Sequence, residues 1–294
     1  MSEYYRSAYN RARVDALIAR SRDSKSIRVI ELCVEGKDDI EFYTKWTNSI
    51  QEDFSSTIFR VEMAENIVGT YSNIDKSAGM CGIVEQMAQQ DDGNKDRIFI
   101  RDRDLLKDHE LIRIDNLFYT DYPAIESYSF TKELFIKINE YTYLGKYKDI
   151  DTRYQYALNF LVSMYFMRIF NQGDGDTVKR EVESLRKKYK AYFKDGLFMI
   201  MDCYSHSDNR IKNEVNNILA QAYEGRIDAR QYIYSHDTEF ILNFIFSTDK
   251  DLLKSIHCAS QSGKYIVGWM LDRFISDGLW KKEKMFQSIK EYII

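Results

Sequence analysis

Seven residues, Arg28-Val-Ile-Glu-Leu-Cys-Val34, run almost unbroken through β-branched and apolar side chains, and the chain then turns polar at Glu35-Gly36-Lys37-Asp38-Asp39. A run of that length and composition reads as a buried strand. Directly behind it Ile40, Tyr43 and Trp46, with Phe42 alongside, recur at helical spacing. A buried strand that feeds straight into a helix belongs in a sheet of parallel strands whose faces are covered. The following segments extend the pattern. Thr57-Ile-Phe-Arg-Val-Glu-Met63 alternates as a half-buried strand does, and a helix over 75–90 sets Ile83, Val84 and Met87 on one side. The loop Asp91-Asp92-Gly93-Asn94 ends that helix. Arg97-Ile-Phe-Ile-Arg101 is a short apolar strand that runs into Asp102-Arg103-Asp104, and residues 111–119 form another strand. A helix beginning near Ala124 stands just behind Pro123, the one proline of the chain, with Glu126 in its first turn. Residues 28–130 therefore read strand–helix–strand–helix–strand–strand–helix, an α/β fold on a mostly parallel sheet with helices on both faces.

Beyond residue 130 the strand signals fade. Amphipathic stretches over 151–170, 175–195, 208–223, 237–247 and 263–292 predict helices, with no repeat at a fixed period. Three regions follow: a basic N-terminal helix within residues 1–27, an α/β domain over 28–130, and a helical domain or extension over 131–294. The N-terminal helix spans 3–21, with Tyr5, Tyr9, Val14, Leu17 and Ile18 as its apolar stripe.

Charge and cysteine usage narrow the function classes. The net charge is −4, so no global basic character points to nucleic acid, although local basic faces still bind phosphate. Cys33, Cys81, Cys203 and Cys258 make no CxxC pair, which argues against structural zinc and for reduced thiols. The N-terminus has no apolar signal core, and the most apolar helical segment, near 156–170, is too short to cross a bilayer and carries Arg168. A soluble, cytoplasmic protein with no membrane association is expected.

Acids stand where three of the strands end: Glu35 after the first, Asp102 and Asp104 after the third, Glu126 after the last. In a parallel sheet, ligands gather at this carboxyl edge. If the segment stays extended, Asp102 and Asp104 point the same way and share one ligand. Crowded carboxylates repel unless a cation neutralises them, and an all-oxygen set suits Mg²⁺ or Mn²⁺ rather than zinc. Such an ion stabilises charge on a phosphoryl oxygen and activates water, and a glutamate beside it moves a proton. The plainer alternative is that these acids cap helices or face water. Asp38 and Asp39 begin the first helix, where capping is the simple role, though Asp39 is also within reach of such a metal.

These residues carry a resemblance. Val34-Glu35-Gly36-Lys37-Asp38-Asp39 followed by Asp102-Arg103-Asp104 resembles the Toprim domain, a Rossmann-like fold with a glutamate after its first strand and a DxD after a later one. VEGKDDIEFY, IFIRDRDLL and YTDYPAIESY are similar to the DUF4435 group, Toprim-like proteins related to the OLD-family nucleases. The resemblance covers roughly 28–130. It implies that Glu35 serves acid/base chemistry or metal binding, that Asp102 and Asp104 hold Mg²⁺, and that Glu126 is a further acid. That group includes effectors of PARIS-type anti-phage systems, in which an ABC-type ATPase holds the nuclease until a phage protein triggers its release and the freed effector attacks tRNA. No GxxxxGK[ST] occurs in this chain, so the resemblance implies that any such ATPase would be a separate partner.

A second surface stands out. Lys179, Arg180, Arg186, Lys187, Lys188 and Lys190 cluster on one predicted helix, interleaved with Tyr189, Tyr192 and Phe193. Cations hold a phosphate backbone and aromatics stack on unpaired bases, while a solvated face with aromatics packed inward is the plainer alternative. Asp237 reads as an N-cap and His236 as a local hydrogen-bonding residue. The aromatic-rich helices are core or a subunit interface, which allows a homodimer. The leading expectation is a Mg²⁺-dependent endonuclease acting on RNA (tRNA). An OLD-type DNA nuclease and a catalytically silent Toprim module assembling with the ATPase stand beside it.

Overall fold

The computed structural model describes residues 27–91, 93–170, 209–247, 253–254 and 262–294. The predicted helices over 3–21 and 175–195 lie outside them. By their internal contacts the described residues form two compact units. The first combines residues up to 102 with 108–120 and 278–294; the second combines 103–107 with 121–277.

The first unit is built on a four-stranded sheet: β1 (Arg28–Val34), β2 (Thr57–Met63), β3 (Arg97–Arg101) and β4 (Leu117–Tyr119), in the order β2-β1-β3-β4. Every pairing is parallel, so the fold is α/β and Rossmann-like. β1 and β2 lie where their apolar runs predicted them. β4 is shorter than the expected 111–119. Ile112 and Arg113 are exposed and lie outside the strand, and a turn from the Ile114 carbonyl to the Leu117 N–H delivers the chain to the sheet.

Three helices follow the strands: α1 (Lys37–Ser49) after β1, the short α2 (Ala64–Ile67) after β2, and α3 (Gly79–Gln90) before β3. One sheet face packs against α2 and α3, where Cys33, Phe99 and Leu117 meet Ala64, Ile83, Val84, Met87 and Ala88. Strand alternation turns Leu32, Ile98 and Phe118 to the other face. There Phe42, Tyr43 and Trp46 of α1 meet Trp280 and Phe286, with ring centroids 5.1–6.4 Å apart, edge to face except for the tilted Tyr43–Phe286 pair. Phe286 belongs to α10 (Lys284–Ile293), and Tyr292 of the same helix sets its ring 5.6 Å from Phe118 of β4. The Arg28 guanidinium, donating to the Ile293 and Lys95 carbonyls, ties the end of α10 to the start of β1 and to the loop before β3.

The second unit is helical: α4 (Ile125–Ser129), α5 (Lys132–Tyr143), α6 (Ile150–Phe170), α7 (Asn209–Tyr223), α8 (Ser235–Ser247) and α9 (Gly263–Ser276). The helix near Ala124 runs only to Ser129, because Thr131 starts α5 by accepting the Leu134 N–H. α5 ends with Leu144 and Gly145 at φ +53 and +64, and buried Asn139 holds Tyr147 through both its N–H and its carbonyl. Tyr143 stacks on Phe246 of α8 at 4.9 Å. Asp237 is fully buried and paired with Arg168 of α6, so it is an interior ion-pair partner, where the sequence suggested an N-cap.

The helix predicted over 263–292 is two helices. Gly278, at φ +70, breaks it, and α10 joins the first unit while α9 stays in the second. The contacts thus divide the chain elsewhere than near residue 130.

Phe286 is fully buried among four aromatic rings. Phe286→Ala is expected to cost about 3–5 kcal/mol, read as a lower urea midpoint by tryptophan fluorescence. An unchanged midpoint would show that α10 does not stabilise the sheet.

Candidate functional site

The carboxyl edge of the first unit's sheet is set by register. β1 pairs with β3 as Glu31↔Arg97, Leu32↔Ile98 and Cys33↔Phe99, so the residues that leave the two strands emerge together. Glu35 leaves β1 and Asp102 leaves β3. The Asp102 backbone N–H donates to Glu35 Oε1 at 2.9 Å, and the Cys81 thiol donates to Glu35 Oε2 at 3.1 Å. All three residues are half-buried. Cys81 comes from the first turn of α3, and sequence reasoning missed it. The available signal was Gly79-Met80-Cys81-Gly82, a cysteine flanked by glycines where a helix begins.

A half-buried ion pair stands beside this contact. Arg101, the last residue of β3, pairs with Glu85 of α3 and lies over the Tyr119 ring at 5.6 Å. The Tyr119 hydroxyl also donates to Glu85, at 2.6 Å. Burial disfavours the Arg101 charge, but Glu85, with Glu35 among the other neighbours, outweighs it and holds the guanidinium more firmly protonated. Burial, then the bond to Glu85, pushes the Tyr119 phenol up to about 12.

Toward the opposite end of the strands, Arg97 donates to Glu31 at 2.7 Å, to Asp91 at 2.6 Å and to the Tyr71 hydroxyl at 2.7 Å. Tyr71 in turn donates to Asp91 at 2.6 Å. Burial acts to raise the Asp91 pKa, but the hydrogen bonds from Tyr71 and Arg97 prevail and hold the carboxyl below its ordinary range. This network joins β1, β3 and the end of α3.

The remaining expected residues are placed as follows. Asp39 accepts the Gly36 N–H at 2.8 Å and so caps α1. Gly36 itself has φ −133, an extended conformation open to any residue, so the turn there does not require glycine. Asp104 belongs to the second unit, and its backbone corrects the expected geometry of the aspartate pair. β3 ends at Arg101, and Asp104 has φ +53 with its N–H donated to the Pro123 carbonyl at 2.8 Å. The stretch is not extended, so the same-side rule for residues two apart does not apply to it. A left-handed aspartate is tolerated better than most side chains but is still strained. Glu126 sits in the first turn of α4, also in the second unit, half-buried. Lys179, Arg180, Arg186, Lys187, Lys188 and Lys190 lie outside the described residues, and His109 is exposed.

Among the described residues, no group of three or more His, Cys, Asp or Glu side chains is gathered closely enough to hold a metal ion. Mg²⁺ does not require such a group. It keeps several waters and is commonly held by one or two carboxylates together with substrate phosphate oxygens. Glu35 and Asp102, oxygen donors on neighbouring strand ends, fit that habit and not the thiolate and imidazole set that zinc favours. Among the described residues no helix is long and apolar enough to cross a membrane. Comparison with models of known protein families and with curated proteins gave no match.

The Asp91 cluster makes stability depend on pH. A carboxyl lowered by folding stabilises fully above its unfolded value of ~3.9, and the contribution disappears as pH falls through the folded value. Asp91→Asn is expected to cost about 1.5–3 kcal/mol at pH 7, and the gap between the two urea midpoints should close well below pH ~3.9. A gap of equal size at both ends would remove Asp91 as its source.

Proposed function

We propose that the protein is a Mg²⁺-dependent (or Mn²⁺-dependent) endonuclease of the Toprim type that cleaves RNA, tRNA in particular, in the cytoplasm. In this reading it is the toxic effector of an anti-phage system, held in check by a separate ABC-type ATPase. The observation that carries the chemistry is the contact between Glu35 and the Asp102 amide at the carboxyl edge of two adjacent parallel strands. The sequence motifs supply the substrate class.

Breaking a phosphodiester requires a base for the attacking hydroxyl and neutralisation of charge on the phosphoryl oxygens. Glu35, half-buried and held by two donors, is the base: one of its Oε atoms accepts the proton of the attacking group. A near-fixed carboxylate does this without the cost of being ordered first. Mg²⁺, held by Glu35 and Asp102, would stabilise charge on the phosphoryl oxygen and acidify bound water. The Asp102 N–H keeps Glu35 against the strand edge. The cations of the 179–190 cluster hold the RNA backbone.

Incubation with total tRNA and with supercoiled plasmid, with Mg²⁺, Mn²⁺ or EDTA, tests the reading. Cleavage of tRNA that EDTA stops and that Glu35→Gln slows by ~100-fold or more is the expected result. No cleavage of either substrate with either metal, or Glu35→Gln cutting at the wild-type rate, would overturn it. Cleavage of plasmid alone would move the substrate to DNA. Replacing Lys187, Lys188 and Lys190 with glutamine should weaken tRNA binding and flatten its salt dependence by up to about three counterions; an unchanged salt slope in a mobility-shift series removes the cluster from the interface.

A further inference from the structure

We propose that Cys81 is the positioning residue of Glu35: its thiol and the Asp102 amide together fix the orientation of the carboxylate. The catalytic consequence rests on the nuclease reading above; the geometry does not.

An ionised carboxylate offers about four acceptor positions on two oxygens. The Asp102 N–H takes one on Oε1 and the Cys81 S–H takes one on Oε2. A thiol is a weak donor to neutral acceptors, but a bond to a charged oxygen is shorter and stronger, and 3.1 Å is close for sulfur. The donors come from different elements, the exit of β3 and the first turn of α3. Rotation of the carboxylate about its last torsion would break both bonds at once.

The first turn of α3 is itself held in place. Gly79 has φ +70, a conformation that suits glycine, and a Cβ at Gly82 would stand 2.6 Å from the Ala78 Cβ. The backbone therefore closes on itself at the helix start, on either side of Cys81. One turn further on, Glu85 bonds to Arg101 of β3 and to Tyr119 of β4. Ile83, Val84 and Met87 anchor the helix in the core beside Cys33 and Phe99. Cys81 thus meets Glu35 as part of a fixed frame. The bland alternative is a small filler at a helix start, and the donor separates the two: serine keeps a hydroxyl donor, whereas alanine keeps most of the volume and loses it.

The test compares Cys81→Ser and Cys81→Ala in the full chain by three readouts: thermal midpoint, amide hydrogen exchange at Asp102, and steady-state tRNA cleavage. Expected are unchanged thermal midpoints and Asp102 exchange about tenfold faster in the alanine variant only. The kcat should fall about 10–100-fold in the alanine variant with KM unchanged, as for a lost outer-shell hydrogen bond. The serine variant should stay within a few-fold of wild type on both measures. Wild-type exchange and kcat in Cys81→Ala would overturn the proposal, and so would a serine variant as impaired as the alanine one. If the wild-type protein cleaves nothing, the nuclease reading fails and the exchange comparison alone decides the role of Cys81.

Discussion

The candidate site depends on one constraint, the parallel pairing of β1 with β3. Parallel strands side by side release their chains at the same edge, so the pairing of Cys33 with Phe99 brings the residues after Val34 and after Arg101 within reach of each other. The Asp102 N–H would otherwise be an unpaired donor just past a strand, and such groups seek an acceptor when burial removes water. Glu35 supplies it. The same pairing brings Arg97 against Glu31, so one register serves both ends of the strands.

The polar groups of this unit are arranged in two layers of different character. Around Arg97, two carboxylates and a phenol satisfy one guanidinium, a closed arrangement that pins β1, β3 and α3 together. At the carboxyl edge the arrangement is open: Glu85 accepts from Arg101 and Tyr119, yet the Arg101 Nε is buried with no hydrogen-bond partner, and Glu35 accepts from Cys81 and the Asp102 amide. Closed networks confer rigidity, and open ones leave capacity for a ligand. α3 takes part in both, which is why a residue in its first turn bears on the site.

Much of the first unit was legible because its strands are short apolar runs bounded by polar turns. β1, β2 and β3 needed no tertiary information, and Glu35 and Asp102 followed from where those runs stop. Asp104 was harder. The alternation that placed it beside Asp102 assumes an extended chain, and the Asp104 N–H is claimed instead by the Pro123 carbonyl, distant in sequence. Cys81 was hard to place for a related reason: the glycines near it mark a helix start, but nothing there announces which strand end it will face. Thr131, with Leu134, Phe135 and Ile138 behind it, did carry a readable signal for α5, which the fading of strand signals after 130 obscured. Asp237 looked like a cap because the helix begins beside it; only the position of Arg168 on α6 turns it into an interior partner.

α10 has a consequence for how the protein is made. β1 to β4 leave the ribosome early, yet α10, which packs with α1 over one face of their sheet, is translated only after the whole of the second unit. Chains fold as they emerge, and contacts between segments far apart in sequence form late. Until Phe286 arrives, Phe42, Tyr43 and Trp46 lack a ring that shields them, so the growing chain carries an exposed aromatic face that calls for chaperone cover. A nascent polypeptide that has not reached residue 284 therefore carries an incompletely covered sheet, and translation of α10 becomes the step that commits the unit to its final state.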